Sequence, residues 1–576
     1  MIRTVRRASA LLVVVCGAAA CASRPPNWPV TEVSKPMTAF NEAMRGTAPP
    51  VAQGVDGERI RRARSEPQNW LTYYGAYDGQ RYSTLDQINT ANVRGLRPAW
   101  NFQIAPLGLI ASPGTFSWEA APIVVDGVMF ISAWDGYVFA LDAATGDPLW
   151  QYKHEIPLDV PLCCGNVNRG VAVARGKVIM ATQNAHLVAL DATNGRLVWQ
   201  MTWADVRAGE SATMAPLIVK NLVIVGSSGA EYGVRGHIDA FDQATGNRVW
   251  RRYNVPKPGE PGSESWPAEE WARGGGTAWI TGTYDPELDL VYWGTGNPGP
   301  VFDGGPRPGS NLYTSAVVAI DPDDGALRWH YQWTPHDVWD YDGVNENILF
   351  EQGGRRLLGH FDKNGYFFVL DRTNGERVSI TPFVDRITWG AITRDGRVTA
   401  KVYPEKEGEP VHFYPGPAGA KEWTHAAYSR KTGLFYVPVQ DTGATATRRR
   451  REFKESIPYW GAGVQVDIED MAGSISAFDA KGEEKWRWRN DLPMCASVLA
   501  TGGDLVFAGA PSGWFVALDA RTGEQLWQFQ CGSGHHSSPC SYSIDGRQYI
   551  AVPTGWGAWT EGFLPGMLGA GQGSSL

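Results

Sequence analysis

One phrase, made of an apolar pair, Asp, a short stretch with Gly and usually a final Trp, recurs seven times between Ala140 and Trp527. Five copies are complete, and they read ALDAATGDPLW, ALDATNGRLVW, AFDQATGNRVW, AIDPDDGALRW and ALDARTGEQLW, ending at Trp150, Trp199, Trp250, Trp329 and Trp527. Two copies are degenerate, VLDRTNGERV ending at Val378 and AFDAKGEEKW ending at Trp486. Trp100, in LRPAW, ends an earlier predicted strand without the phrase. Together with the ends of the seven copies it gives eight strand ends, which we call closures.

Each copy predicts a strand, a turn and a second strand. Alternating apolar residues fill one sheet face, Asp and Gly supply the turn geometry, and the Trp packs between neighbouring sheets. Closures about 40 to 50 residues apart match one four-stranded blade per repeat. We therefore predict an all-β protein, an eight-bladed β-propeller with tryptophan-docking repeats. Wider gaps between Trp250 and Trp329, and between Val378 and Trp486, predict long loops or insertions.

Composition and charge narrow the class of protein. A chain of 576 residues with 67 Gly, 38 Pro and 25 Trp can bury an ample core, and it suits one large propeller better than several small domains. The net charge of -8 argues against a nucleic-acid partner, which normally requires a basic face. The arginine run at 448–451 lies in the second wide gap. We interpret it as a solvated loop, with docking to an acidic partner as the alternative.

The first 21 residues have the features of an export signal. Residues 1–7 are basic, residues 8–20 are apolar but too short to span a bilayer, and small residues precede Cys21. Residues 18–21, AAAC, resemble a lipoprotein processing box in which Cys21 is acylated; ordinary cleavage after an Ala is the alternative. We therefore expect a periplasmic protein that Cys21 can anchor to a membrane. Residues 22–60 lack an apolar period and predict a flexible tether, which leaves 61–576 for the propeller.

The cysteines of the exported part fall into two groups. Cys163 and Cys164 are neighbours, and their α-carbons are about 3.8 Å apart, below the usual disulfide span, so a bridge between them is strained. We favour this bridge, as a rigid plate against a ligand or as a redox element, over two buried thiols. Cys531 and Cys540 flank GSGHHSSP and could close an ordinary second bridge, whereas Cys495 is expected to be a small buried residue. No CxxCH motif occurs, so no c-type haem is expected.

Five further strings occur in order along the repeat: CCGNVNRGVAV at 163–173, GSSGAEYGVRG at 226–236, GGGTAWI at 274–280, GTGNPGP at 294–300 and TPHDVWDYDGVNE at 334–346. Together they resemble the pyrroloquinoline-quinone (PQQ)-dependent alcohol dehydrogenases of the methanol and ethanol dehydrogenase type. The resemblance runs from about residue 70 to residue 556. That family is an eight-bladed propeller, which agrees with the count of closures.

A quinone that takes hydride from an alcohol needs a cation at its carbonyl, a base for the hydroxyl proton and a rigid slot for its plane. The resemblance implies that the Cys163–Cys164 ring covers one face of PQQ and that Trp279 covers the other. It also implies cationic contacts from Arg169 and from Lys363, which stands where methanol-oxidising relatives have Arg. Hydrogen bonds to the acidic rim of PQQ are implied for Glu119, Thr182, Ser228, Gly229, Ala230 and Thr277.

The resemblance further implies that Glu231, Asn297 and Asp340 hold a metal ion and that Asp340 is the general base. In an extended segment Asp342 would share a face with Asp340 and reach the same ion. Three carboxylates suit a trivalent ion better than Ca²⁺ in a site shielded from water. The WDYD pattern also resembles the lanthanide-dependent branch, so we expect a lanthanide(III) ion, with Ca²⁺ as the alternative. The other interpretation of Asp342 is a hydrogen bond to the turn at Gly343.

We therefore predict PQQ-dependent oxidation of an alcohol, in particular a primary one, to the aldehyde, with a separate cytochrome-type carrier as electron acceptor. Glu422 departs from the family, in which Asn often occupies this position, and no Trp near Met494 and Cys495 shapes a methanol-type cavity. The alternative is a non-catalytic propeller lipoprotein of the outer-membrane assembly type. It would explain the blades and Cys21 but not the adjacent cysteines or the acidic set. A quinoprotein that has lost its cofactor is a third interpretation.

Overall fold

The computed structural model of the protein describes residues 41–42, 46–104, 118–157, 159–267 and 269–555. The predicted export signal, with Cys21, lies outside these residues. None of the helices in the described ranges is both long and apolar enough to cross a membrane. They comprise α1 (Gly57–Arg61) and 3-10 helices at Val51–Gly54, Ala63–Ser65, Val93–Gly95, Trp134–Gly136, Val206–Ala208, Ala230–Tyr232, Ser263–Ser265 and Glu270–Arg273.

Seven sheets in the described ranges each contain four antiparallel strands. The first three sheets are β2 (Ile123–Val125), β3 (Val128–Ser132), β4 (Tyr137–Asp142) and β5 (Pro148–Lys153); β6 (Ala172–Ala174), β7 (Lys177–Ala181), β8 (His186–Asp191) and β9 (Leu197–Thr202); and β10 (Leu217–Val219), β11 (Leu222–Gly226), β12 (His237–Asp242) and β13 (Arg248–Tyr253).

The next two sheets are β14 (Thr283–Asp285), β15 (Leu290–Thr295), β16 (Ala316–Ile320) and β17 (Leu327–Gln332); and β18 (Ile348–Gln352), β19 (Arg355–Phe361), β20 (Tyr366–Asp371) and β21 (Arg377–Pro382). The sixth is β25 (Ala427–Ser429), β26 (Leu434–Asp441), β29 (Ala472–Phe478) and β30 (Glu484–Asn490). The seventh is β31 (Leu499–Thr501), β32 (Leu505–Gly509), β33 (Trp514–Asp519) and β34 (Gln525–Gln530), to which β1 (Tyr82–Ser83) adds in parallel.

Three smaller sheets accompany these seven. They are β22 (Ala391–Ile392) with β23 (Val398–Thr399); β24 (Pro410–Phe413) with β27 (Ala444–Arg448) and β28 (Ala462–Val466); and β35 (Cys540–Ile544) with β36 (Arg547–Ala551). The first two lie between Val378 and Trp486, which confirms an insertion in that gap. Arg448 ends β27 and pairs with Asp303 (2.7 Å), whereas the following three arginines are exposed, as a solvated segment requires.

The repeated phrase forms the turn between the third and fourth strands of a sheet. In the first copy Asp142 ends β4, and its side chain accepts hydrogen bonds from the amides of Ala144 (2.8 Å) and Thr145 (3.1 Å). Gly146 then has φ of 78°, a conformation that glycine adopts at little cost. β5 follows and buries Trp150. The predicted turn chemistry is confirmed.

The Trp that closes one phrase contacts the glycine of the next. A Cβ added to Gly195 would lie 2.7 Å from Cε3 of Trp150, and Gly325 stands in the same relation to Trp250. The indole N–H of Trp150 also donates to the carbonyl of Ala192 in the neighbouring repeat (2.9 Å). Equivalent bonds join Trp100 to Ala143 (3.2 Å), Trp250 to Pro322 (2.8 Å), Trp486 to Ala520 (3.1 Å) and Trp527 to Leu96 (3.2 Å). The tryptophan-docking prediction is confirmed.

The seventh sheet is joined to residues from early in the chain. Trp527 donates to Leu96, β1 pairs with β31, and the buried guanidinium of Arg81 donates to the carbonyl of Val498 (3.0 Å). The β35–β36 hairpin also contacts the first sheet, because the hydroxyl of Tyr542 donates to Ala143 (2.7 Å). The all-β propeller architecture is thus confirmed, and the count of eight blades stays a prediction.

Two expectations need correction. Residues 46–60, predicted as the end of a flexible tether, pack on the propeller: the carbonyls of Ala52 and Val55 accept hydrogen bonds from the amides of Gly176 (2.8 Å) and Arg175 (2.7 Å). Ala52 and Val55 are buried there, so apolar contact holds this segment in place.

The suggested bridge between Cys531 and Cys540 is also wrong, since both thiols are free. Cys540 begins β35 and is fully buried in the core, whereas Cys531 follows β34 and is partly exposed. Cys495 is buried and free, as expected.

Candidate active site

The candidate residues lie at one end of the sheets. In an antiparallel sheet, the start of the first strand and the end of the second strand are at the same end. Before a first strand lie Glu119 (β2), Cys163, Cys164 and Arg169 (β6), Thr277 and Trp279 (β14), and Asp340 and Asp342 (β18). After a second strand lie Thr182 (β7), Ser228, Gly229, Ala230 and Glu231 (β11), Asn297 (β15) and Lys363 (β19). Residues that are far apart in the sequence therefore lie at the same end of the sheets, which we call the rim.

An acidic cluster surrounds the buried ammonium group of Lys363. Its Nζ lies 2.9 Å from Oδ2 of Asp342 and 3.6 Å from Oδ2 of Asp340. The carboxylate of Glu231 interacts electrostatically with both Asp340 and Asp342. The structure therefore brings Glu231, Asp340 and Asp342 together, although they come from two different sheets.

Burial of these carboxyl groups makes their charge costly. It raises the pKa of Glu231 to about 7, and the neighbouring Asp342 adds to the effect. Burial also raises the pKa of Asp340 well above its ordinary value, against the opposing influence of Lys363. Burial alone would lower the pKa of Lys363, but Asp340 and Asp342 reverse this and raise it. The cluster thus holds more negative than positive charge, and a bound cation would relieve the imbalance.

Asp342 is held by three donors. Its Oδ1 accepts hydrogen bonds from the amide of Asn297 (3.1 Å) and the indole N–H of Trp279 (3.3 Å), and its Oδ2 accepts from Lys363. A Cβ on Gly296 would lie 2.8 Å from Asp342 Oδ1, so glycine is needed there.

The extended segment expected at Asp340 and Asp342 is absent, because these residues have φ of 70° and 31°. The two carboxylates are therefore brought together by left-handed backbone at both residues, and the argument from strand geometry is wrong at this point. The recorded hydrogen bonds of the Asp342 carboxylate go to Asn297, Trp279 and Lys363 and not to the turn at Gly343.

Cys163 and Cys164 form the predicted disulfide, and it lies beside Glu231. Both sulfur atoms and a carboxylate oxygen of Glu231 lie within 4.8 Å of one another. Oxidised sulfur is not the thiolate that a metal binds, so this group is a rigid wall rather than a metal site. Gly229, with φ of 109°, caps the start of the 3-10 helix that carries Ala230 and Glu231, and a Cβ there would collide with the carbonyl of Gly209.

Arg169 and Glu119 form a buried ion pair (2.8 Å), which explains how an acid can sit in a site for an acidic cofactor. The Arg169 guanidinium lies over two indole rings, 5.0 Å from the centre of Trp279 and 4.4 Å from that of Trp423. Nδ1 of His536 lies 4.0 Å from Glu119. Charge on this side of the site is therefore balanced within the protein.

The polar groups expected to bind the cofactor differ in whether they already have hydrogen-bond partners within the protein. Thr182 Oγ1 is occupied within its own loop, bonding Asn184 (2.6 Å) and His186 (3.2 Å). Ser228 Oγ pairs with Ser211 Oγ (2.7 Å). Among the described residues, Thr277 Oγ1 and Asn297 Oδ1 are buried and have no hydrogen-bond partner. Such atoms are costly unless a ligand satisfies them.

Two features of the site were not assigned from the sequence. Glu422 Oε1 lies 3.7 Å from Lys363 Nζ, as a further acid on the same ammonium group. Glu346 forms a buried ion pair with Lys421 (2.8 Å) and contacts His425 (3.2 Å). The strings GVNE and KEWTH contain these residues, but only the tertiary fold shows that they meet.

Comparison with known proteins assigns the family. The family described as PQQ, glucose/ethanol/alcohol dehydrogenase, beta-propeller domain, matches residues 70–388 and 489–550. The chain belongs to this PQQ dehydrogenase family. The resemblance noted in the sequence is thereby confirmed.

Relatives of the PQQ dehydrogenase family match nearly the whole chain. Quinoprotein alcohol dehydrogenase PedH of Pseudomonas putida is 39% identical over 570 residues, covering 93% of each protein. The lanthanide-dependent methanol dehydrogenase of Methylacidiphilum fumariolicum is 38% identical over 541 residues, covering 87% of each. The solved structure of a europium-containing methanol dehydrogenase is similar with a TM-score of 0.83 and 35% identity, over 90% of this chain and 99% of that one. These matches do not support the non-catalytic scaffold.

Proposed function

We propose that this protein is a PQQ-dependent alcohol dehydrogenase that uses a trivalent lanthanide ion and oxidises small alcohols to aldehydes. The observation that carries the proposal is the meeting of Glu231, Asp340 and Asp342 around one lysine, beside a disulfide between adjacent cysteines. Membership of the PQQ dehydrogenase family supports the reaction class.

The residues at the rim fit a planar, acidic cofactor. Thr277 Oγ1 and two nitrogens of Arg169, Nε and Nη1, are buried without hydrogen-bond partners in the described part of the chain. A cofactor with carbonyl and carboxylate oxygens would satisfy these donors. The Cys163–Cys164 disulfide and Trp279 supply stiff apolar surfaces against which an aromatic plane can lie.

The acidic cluster fits a hard cation bound through oxygen. Glu231, Asp340 and Asp342 offer carboxylate oxygens, and Asn297 offers a buried amide oxygen that lacks a partner among the described residues. The three carboxylate ligands by themselves carry a charge of about -3, which suits a trivalent ion better than Ca²⁺, and Lys363 offsets one unit of that charge. The lanthanide-dependent methanol dehydrogenase among the relatives supports this preference, and Ca²⁺ is the alternative.

Each residue then has a role in the reaction. PQQ held at the rim would supply a hydride acceptor for the alcohol carbon, and a metal ion held by Glu231, Asn297, Asp340 and Asp342 would supply a Lewis acid. An Asp340 carboxylate oxygen takes the hydroxyl proton, because it lies in the cluster yet its side chain is 26% exposed. Lys363 orients Asp340 and Asp342 and would offer a cationic donor to a bound cofactor. The disulfide and Trp279 exclude water from the plane of the site.

Reconstitution tests the proposal directly. Protein freed of metal is loaded with PQQ and either La³⁺ or Ca²⁺, and the oxidation of a series of short alcohols is followed with an artificial dye. We expect turnover with La³⁺ to exceed that with Ca²⁺, and Asp340→Asn to lower kcat at least 100-fold. The protein without added PQQ is the matched control. A lack of turnover with either ion on every alcohol would overturn the proposal.

The electron acceptor and location are part of the same proposal. We propose a periplasmic enzyme, anchored by lipid if Cys21 is acylated, that passes electrons to a separate cytochrome. Reduction of an added c-type cytochrome during alcohol oxidation would support that partner. Fractionation of wild-type and Cys21→Ser protein would test the anchor, since only acylated protein should enter the membrane fraction.

A further inference from the structure

One lysine in the site serves three carboxylates. Nζ of Lys363 lies 2.9 Å from Asp342, 3.6 Å from Asp340 and 3.7 Å from Glu422. The Lys363 side chain is only 3% exposed, so water does little to screen these charges. The first two acids belong to the proposed metal cluster, whereas Glu422 has no role in the reaction described above.

Glu422 is fixed in place by its own segment. Its Oε2 accepts a hydrogen bond from the amide of Trp423 (2.5 Å). The amide of Ala420 donates to the carbonyl of Lys363 (2.9 Å), and a Cβ on Gly419 would lie 2.6 Å from Lys363 Cβ. The segment before Trp423 is therefore packed against the backbone of the lysine that Glu422 faces, and the hydrogen bond from the Trp423 amide holds the Glu422 carboxylate toward Lys363.

The charge count of the site depends on Glu422. When cation binding keeps Glu231, Asp340 and Asp342 ionised, these three carboxylates and Lys363 carry a net charge of about -2, which a divalent ion would balance. Burial raises the pKa of Glu422, and the neighbouring ammonium group of Lys363 opposes this rise. With Glu422 ionised beside Lys363, the net charge becomes about -3, which matches a trivalent ion. The cofactor adds the same charge in both cases, so it does not alter the comparison.

We propose that Glu422 is a specificity-determining residue that acts through Lys363 and makes the site prefer trivalent over divalent cations. The inference rests on the proposed function. Glu422 occupies the ammonium group of Lys363 and so leaves Asp340 and Asp342 more negative toward the ion. It is a positioning residue and not a ligand, because its carboxylate faces Lys363 and accepts the amide of Trp423.

The effect should differ between ions of different charge. As a general estimate, a fixed unit charge at a separation of about 7 Å and an effective dielectric constant of about 20 to 40 changes the affinity for an ion by about tenfold or more per unit of ion charge. Because the Coulomb energy is proportional to the charge of the ion, this factor enters the affinity three times for a trivalent ion and twice for a divalent ion. Removing the charge of Glu422 should therefore lower the ratio of trivalent to divalent affinity by about tenfold.

Terbium luminescence measures this ratio without turnover. The PQQ-loaded protein is stripped of metal with a chelator and titrated with Tb³⁺, whose emission is excited through tryptophan, and bound Tb³⁺ is then displaced with Ca²⁺. Trp279, which hydrogen-bonds Asp342, is placed to sensitise the bound ion. The variants are Glu422→Gln, which removes the charge, and Glu422→Asp, which keeps it.

We expect the ratio of Tb³⁺ to Ca²⁺ affinity to fall about tenfold in Glu422→Gln and to stay within about threefold of wild type in Glu422→Asp. An unchanged ratio in Glu422→Gln, or an equal fall in both variants, would overturn the inference while leaving the proposed function intact. If wild-type protein binds neither ion, the proposed function fails as well. Thermal unfolding of each variant shows whether the fold is retained, and if the Glu422→Gln protein cannot fold, Glu422→Ala, which removes the same charge, takes its place with the same expected fall.

Discussion

The buried ion pair between Glu346 and Lys421 supports the segment beneath Trp423, and Glu346→Gln should test its strength. Glu346 Oε2 lies 2.8 Å from Lys421 Nζ, and its Oε1 accepts the amide of Ala426 (2.8 Å). Both charged side chains are at most 1% exposed. The substitution preserves shape and leaves a buried ammonium group without its counter-charge.

Two estimates of the cost agree. Breaking a buried pair by removing one partner costs about 3 to 5 kcal/mol. Burial alone would raise the pKa of Glu346, but Lys421 and His425 outweigh it and hold this pKa at about 2. Relative to the ordinary value of 4.5, that depression corresponds to about 3 kcal/mol. This is a large share of the roughly 5 to 15 kcal/mol that separates a folded domain from its unfolded chain.

The same pKa fixes the pH dependence. Because the folded value is depressed, the stabilisation is complete above pH 4.5 and is lost as pH falls toward 2. Urea unfolding followed by tryptophan fluorescence should thus show Glu346→Gln less stable by about 3 kcal/mol at pH 7, with the difference shrinking below pH 4.5.

The double variant Glu346→Gln/Lys421→Met is the control for this prediction. It removes both charges and should recover most of the loss, because an uncompensated charge no longer remains buried. A loss below 1 kcal/mol in the single variant, or no recovery in the double variant, would refute the reasoning. Either result would mean that water reaches Lys421.

Three further predictions follow from the fold and the site. Trp150→Ala should lower the free energy of unfolding by about 3 to 5 kcal/mol, since the indole fills the space against Gly195; a loss below 1 kcal/mol in urea unfolding would contradict the docking role. Thr277→Val should leave the stability of cofactor-free protein unchanged or higher and weaken PQQ binding about tenfold in a fluorescence titration, because the orphaned hydroxyl is kept for the ligand; unchanged PQQ affinity would count against that role. Burial lowers the pKa of both His154 and His535 to about 4, so only the unfolded chain takes up protons there as pH falls from 6.5 to 4, and stability declines. Replacing both with Asn should reduce the slope of unfolding free energy against pH by about 2.7 kcal/mol per unit near pH 5, and an unchanged slope would show that these rings protonate in the folded state.

The features that were predicted correctly depend on residues that are close together in the sequence. Asp142, Gly146 and Trp150 act within one turn and its neighbour, so their spacing alone indicates the blade. The adjacency of Cys163 and Cys164 likewise needs no knowledge of distant residues. Asp340, which belongs to a familiar string, was assigned by resemblance, and its catalytic role stays a prediction.

The features that were missed or wrong depend on distant contacts. Cys531 and Cys540 are close in sequence, but the hairpin buries one and leaves the other partly exposed. Residues 46–60 have no periodic pattern, and they are ordered only by the surface they contact. The pairing of Glu422 with Lys363 joins two sheets about 60 residues apart, and no local signal predicts it. Tertiary contacts overrode the local pattern in each of these cases.

The bond from Trp527 to Leu96 and the pairing of β1 with β31 have a consequence for biogenesis. The circle of sheets is fastened by residues separated by more than 400 positions, so a nascent chain cannot complete it until nearly all of its length has emerged. Loop-closure entropy makes such a late fastening slow. A site built from several sheets is therefore complete only after β34 has been synthesised, and a prematurely terminated chain would form only part of the circle.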